Sequence, residues 1–217
     1  MFLKNLSEDP FFCPAITGFV GFVDDGSANR LSSLLASAKE LTVISSDNSK
    51  LVYTGPFEVP KSNVGDLSKA RGSYFPVGEL FTELVDLKNV SGECLVLGIP
   101  VEHRTTFISP FKMVIKDGCV VEHKGPKAFG DLIDLVKTEN PDGRVWLREI
   151  GLGLNKFISK EHPLYDITSC ERMFGFHFSI GLKHGVFRKK LTVNQRFHID
   201  CFVDVKEIFI DGKKVFP

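Results

Sequence analysis

Two Asp-Gly pairs, each set between apolar runs, constrain this 217-residue chain more than any other feature. Phe111–Ile115 and Cys119–Glu122 flank Asp117-Gly118, and Glu207–Ile210 and Lys214–Phe216 flank Asp211-Gly212. Both residues of such a pair tolerate positive φ, which the tightest hairpin turn requires, so each pair predicts two antiparallel strands. Thr42–Ser45 and Leu51–Thr54 repeat the arrangement around a polar turn at Ser46–Lys50, and Glu93–Ile99 reads as a further strand. Helical periodicity is confined to two places. Leu31, Leu34, Leu35, Ala38 and Leu41 predict a helix over 29–41 with Ser27 as its N-cap. Phe129, Leu132, Ile133 and Val136 predict another that stops near Asn140-Pro141. The expected fold class is α+β: a mainly antiparallel β-sheet, barrel-like or curved, with two or more flanking helices. Residues 1–27, irregular and rich in Phe, Pro and Gly, are expected to be an N-terminal arm on one domain over 28–217.

Composition narrows the function classes. Lys plus Arg equals Asp plus Glu at 27 each, and no basic stripe carries interleaved aromatics, so nucleic acid is not an expected partner. No window approaches the ~20 consecutive apolar residues of a membrane helix, and the start lacks the apolar run of a secretory signal. A cytoplasmic protein without a membrane partner is therefore expected. The five cysteines are scattered with no C-x-x-C pair, as reduced structural thiols would be. Twenty Phe against three Tyr and one Trp points to a Phe-packed core.

Alternation in two C-terminal segments carries the chemistry. Over 174–181 it places Phe174, Phe176, Phe178 and Ile180 on one face and Gly175, His177, Ser179 and Gly181 on the other. Over 197–204 it separates Phe197, Ile199, Cys201 and Val203 from His198, Asp200, Phe202 and Asp204. Residues i and i+2 of a strand point the same way, so His198 and Asp200 can converge on an ion. With His177 from a neighbouring strand, the set suits zinc, manganese or non-haem iron(II). The alternative is that all three are polar residues on a solvent-facing sheet surface.

Two glutamates stand out as well. Glu79 lies in Pro76-Val77-Gly78-Glu79-Leu80-Phe81-Thr82, and Glu149 is expected to close an apolar strand and enter the Gly-rich turn Ile150-Gly151-Leu152-Gly153. A carboxylate in such surroundings is either paired, with Arg148 or a lysine, or bound to metal.

These segments, with Phe111 through Gly118, Glu149 through Asn155, His177 through Gly181, His198-Ile199-Asp200 and Ile210-Asp211-Gly212, occur in an order and spacing that resemble the catalytic half of the aminopeptidase T family of metallo-aminopeptidases. The resemblance runs from about Ala28 to the end. It implies that Glu79, Glu149, His177, His198 and Asp200 ligate a two-metal centre of zinc, cobalt or manganese. His184, standing where the family has a tyrosine that reaches the metals, reads either as a further ligand or as a loop residue before Gly185. The implied function is hydrolysis of a small peptide or amide substrate, with Glu79 or Glu149 moving the proton, in a protein that forms a homodimer. The same scaffold is similar to the 2,5-dihydroxypyridine dioxygenases, which would make His177, His198 and Asp200 the ligands of a single iron(II). A third implied reading is a catalytically silent binding protein. The run Arg188-Lys189-Lys190 reads as a solvated hairpin tip or a clamp for a substrate carboxylate, and His103, His123 and His162 as surface or structural residues.

Overall fold

The structure, a computed structural model, describes residues 25–65, 76–102, 104–164, 166–183 and 196–216. Segment 1–24, His184, the run Arg188-Lys189-Lys190 and His103 lie outside the described residues. Strands dominate: β1 (Glu40–Ser45), β2 (Lys50–Thr54), β3 (Lys61–Asn63), β4 (Glu79–Glu83), β5 (Val90–Val101), β6 (Arg104–Lys116), β7 (Cys119–His123), β8 (Leu147–Gly153), β9 (Gly175–Gly181), β10 (His198–Val203), β11 (Val205–Ile210) and β12 (Lys213–Phe216). Three helices accompany them: α1 (Asp25–Ala36), α2 (Lys127–Glu139) and α3 (Ile167–Cys170). The α+β class and the curved antiparallel sheet are as expected: the strands form a curled half-barrel.

Both Asp-Gly turns behave as their chemistry requires. Asp117 and Gly118 have φ of 47° and 78°, and Asp211 and Gly212 have 47° and 74°, so both residues of each pair sit in the left-handed region. The turns close the β6–β7 and β11–β12 hairpins.

The sheet runs β12-β11-β1-β2-β5-β10-β9-β8-β4-β3, with β6 and then β7 on the other edge of β5. The length of β5 makes this possible. Its first residues pair with β2 through Val90–Gly92, and its later residues Val96 and Gly98 pair with β10. One long strand thereby joins a four-strand wing, β12-β11-β1-β2, to the wing β10-β9-β8-β4-β3 that carries every candidate ligand described.

One face of that second wing is core. Leu80, Ile150, Leu152, Phe176, Phe178, Ile180, Ile199, Cys201 and Val203 are all buried in a single cluster with Leu35 of α1 and Phe129, Ile133 and Val136 of α2. The α2 stripe is the expected one, and the helix stops at Asn140, whose extended backbone precedes Pro141. The α1 stripe is shared differently. The helix starts at Asp25 and ends at Ala36, so Ser27 is a helical residue and not the N-cap, and Leu41 is the first buried residue of β1. A strand partner in β11 and β2 wins that position from the helix.

Phe129 shows how the core is closed. Its ring is fully buried, 4.8 Å from Phe111 and 5.0 Å from His123, and docks α2 on the β6–β7 hairpin. Phe129→Ala is expected to cost about 3–5 kcal/mol of stability, read as a lowered urea midpoint; an unchanged midpoint would refute the docking. The four cysteines among the described residues are free thiols, and Cys94, Cys170 and Cys201 are buried.

Candidate metal centre

Strand register assembles the site. His177 stands opposite Gly151 of β8 on one side and Phe202 of β10 on the other. Asp200 stands opposite Ser179, His198 opposite Gly181, and Glu149 opposite Glu83 of β4. Since cross-strand partners share a face, the non-core face of β4, β8, β9 and β10 collects Glu79, Glu83, Glu149, His177, Ser179, His198 and Asp200. The split between apolar and histidine-bearing faces is as expected for β9 and β10. The solvent-face alternative fails for His177, 1% exposed, and Asp200, 2%, while the His198 side chain keeps 24% of its surface exposed; Glu79 and Glu149 are buried as well.

Glu149 is not at a strand end, as the Gly-rich sequence after it implied; β8 continues through Gly153. Its aim comes from a β-bulge. Between the core residues Leu147 and Ile150, β8 has two residues where β9, between Ile180 and Phe178, has one. Arg148 and Glu149 therefore both turn from the core. The bulge is pinned by the Glu149 N–H, which donates to Ser179 Oγ at 3.1 Å. Arg148 reaches past the bulge to β4: its Nη1 lies 3.4 Å from Glu83, and its Nε donates to the Gly181 carbonyl at 3.2 Å.

Glycine makes room for the histidine. A Cβ on Gly151 would lie 2.0 Å from His177 Nε2, so only a residue without one lets that imidazole cross β8 toward Glu79 and Glu149. A lid completes the enclosure. Residues 154–164 and 166–174 contribute Ile158, Cys170 and Met173 to a small apolar cluster with Phe202 of β10, whose ring lies 5.5 Å from that of His177, and they bring Arg172 to Glu79.

Within the enclosure the ligand-type atoms approach one another without bonding well. His177 Nε2 is 3.4 Å from Glu79 Oε1 and 3.6 Å from Glu149 Oε1, and His198 Nε2 is 3.2 Å from Asp200 Oδ1. Yet His177 Nε2, Glu149 Oε2 and Asp200 Oδ1 are buried with no hydrogen-bond partner among the described residues. Buried polar atoms in a folded protein are almost always satisfied. Several orphans on three neighbouring strands are what bound cations would satisfy.

Two groups have ligand atoms all within 4.8 Å of one another: Glu79, Glu149 and His177, and Glu149, His198 and Asp200. Glu149 belongs to both. The donors are imidazole and carboxylate with no thiol, which suits zinc, manganese, cobalt or iron(II). His198 is also oriented from behind, its Nδ1 lying 2.8 Å from the Leu182 carbonyl, an arrangement that leaves Nε2 for a ligand role.

The carboxylates also act on the two imidazoles. Burial works against the charged form of His177, but Glu149 and Glu79 outweigh it and raise its pKa to about 10. For His198 burial is likewise overcome by Asp200, again to about 10. Burial would raise Asp200, yet His198 and His177 hold it below the usual carboxylate range. Each imidazolium contributes stability that is complete below the ~6.5 of a free imidazole and is lost as pH rises through about 10. Chelator-treated protein is thus expected to lose stability steadily between these pH values; a flat urea midpoint over that range would contradict the paired histidines.

Two neighbours, absent from the candidates read from sequence, also face the site. Glu171 and Arg172 follow α3 and are brought over the site by the lid. Burial, Asp200 and Glu79 together push Glu171 up to about 9. Arg172, 4% exposed, lies 3.2 Å from Glu79 Oε2 and pairs with Glu171. Two adjacent charges inside the apolar context Ser169-Cys170-Glu171-Arg172-Met173-Phe174 are the only hint the sequence offers.

Comparison with solved structures places the architecture. The chain superposes on a 2,5-dihydroxypyridine dioxygenase from Pseudomonas putida KT2440 with a TM-score of 0.65 and 19% identity, covering 89% of this chain and 58% of that one. It superposes on wild-type AmpT from Thermus thermophilus with a TM-score of 0.61 and 14% identity, covering 92% and 53%. The likeness is one of fold. The chain spans a little over half the length of each, and no family model or curated protein sequence matches it. His123 packs edge-on against Phe129 and His162 is exposed, and neither belongs to the site. No described helix is long and apolar enough to cross a membrane.

Proposed function

We propose that this protein is a metal-dependent hydrolase that cleaves a peptide or amide bond in a small substrate. The observation that carries the reading is the position of Glu149 in both three-residue groups, since a shared carboxylate is what a pair of neighbouring cations needs between them. Glu79, Glu149 and His177 would hold one ion, and Glu149, His198 and Asp200 the other. Bound divalent ions supply Lewis acidity and lower the pKa of water from 15.7 toward ~7. The protein does the rest. The burial of Glu79, Glu149, His177 and Asp200 would limit water at the site, and the Leu182 carbonyl behind His198 would hold its Nε2 toward an ion. Glu79 or Glu149 would carry a proton from the attacking water to the leaving amine only through an oxygen not committed to an ion.

The likeness to the dioxygenase supports a second reading equally well at the level of fold: a single iron(II) held by His177, His198 and Asp200, opening an aromatic ring with oxygen. Those three residues are divided between the two groups, which favours the hydrolase. Elemental analysis with paired assays decides. Two ions per chain, amide hydrolysis and no oxygen uptake are expected. One iron with oxygen consumption on a dihydroxypyridine would replace this reading with the second, and no ion after incubation with zinc, manganese, cobalt or iron(II) would leave only a binding protein.

A further inference from the structure

We propose that Arg172 is a positioning residue that fixes which carboxylate serves one ion and which serves two. The inference rests on the metal reading above. Glu79 and Glu149 are chemically identical, equally buried, and both approach His177 through Oε1. They differ in the other oxygen. Glu79 Oε2 lies 3.2 Å from Arg172 Nη2. Glu149 Oε2 is buried and makes no hydrogen bond among the described residues. With one oxygen held by a guanidinium, Glu79 has one left for a cation; Glu149 keeps both, and it is Glu149 that belongs to both groups.

The guanidinium is itself anchored, which lets it impose this difference. Its Nη1 donates to the Thr168 carbonyl and to Glu171, while the Arg172 backbone carbonyl accepts from Asn155 N–H at 3.0 Å. A planar fork can grip Glu79, Glu171 and Thr168 at once, and a lysine ammonium at the end of a flexible stem cannot. Arg172→Lys therefore keeps the positive charge and removes the geometry.

Two measurements test the proposal. Metal-free wild type and Arg172→Lys are titrated with cobalt(II), followed by visible absorption and by competition with a chelator. One of the two binding steps in Arg172→Lys is expected to weaken about 10–100-fold, the usual effect of losing an outer-shell partner, with an altered absorption band, while the other step is unchanged. A merely structural role would lower the melting temperature of the metal-free protein without changing the band. Wild-type affinity and spectrum at both steps overturn the proposal. Should the variant fail to fold, a crystal structure of metal-loaded wild type gives the answer: Glu79 bound through one oxygen, with the other still on Arg172, is expected, and Glu79 gripping an ion through both oxygens overturns it. A wild type that takes up no ion overturns the metal reading as well, whereas loaded wild type with a two-oxygen Glu79 sinks this inference alone.

Discussion

Replacing Glu149 by glutamine is expected to empty the protein of both ions, where Glu79→Gln or His198→Ala removes one. The asymmetry follows from geometry. Glu149 contributes to both candidate groups, Glu79 only to that of His177, and His198 only to that of Asp200. Glutamine matches glutamate in shape, and the backbone N–H of residue 149 would still donate to Ser179, so the β8 bulge and the fold are retained. What is lost is an anion. A neutral amide offers one weak carbonyl donor and cannot balance two divalent charges, so affinity should fall by more than the ~10–100-fold that loss of an outer-shell partner costs. Elemental analysis of the dialysed variants reads the effect. A Glu149→Gln protein that keeps one ion would show that the two groups do not share this residue.

The second large effect comes from a residue that holds no ion. Gly151→Ala places a methyl 2.0 Å from His177 Nε2, 2.2 Å from its Cε1 and 2.5 Å from its Cδ2, so the ring must swing away from Glu79 and Glu149. Backbone pairing between Gly151 and His177 has no such conflict, and overpacking of this kind costs about 1–3 kcal/mol. The variant is therefore expected to fold, with a lowered urea midpoint, and to lose the ion of the His177 group while keeping that of the His198 group. Gly153→Ala provides the contrast. Its Cβ would lie 1.7 Å from the Met173 carbonyl, a backbone atom, so there the lid must move and general destabilisation should dominate. Full metal content in Gly151→Ala would mean that His177 is not a ligand.

The hairpins and the two faces of β9 and β10 were legible in the sequence because both depend on short-range rules: positive φ at Asp-Gly, and the two-residue period of a strand. The burial of the histidine face was not. Alternation of Gly175, His177, Ser179 and Gly181 looks the same whether the surface meets water or a lid, and the lid, built from residues 154–164 and 166–174, rests on a small apolar cluster with no periodic signature. Glu149 was recognised but misplaced. Gly151 and Gly153 suggest a turn locally, whereas long-range pairing with β9 makes them strand residues that clear space for His177 and for the lid. The bulge that aims Glu149 exists only as a mismatch between two strands, so neither strand shows it alone. Arg172 and Glu171 were missed for a similar reason: a buried cation is identified by what surrounds it, and its carboxylate partner Glu79 is far away in sequence.

Glu79, Glu149, His177, His198 and Asp200 are expected to form one metal-binding centre on the inner face of β4, β8, β9 and β10. Anomalous diffraction from crystals equilibrated with zinc tests it most directly. Two peaks are expected, one among Glu79, Glu149 and His177 and the other among Glu149, His198 and Asp200. A map with no peak at these five side chains would contradict the account.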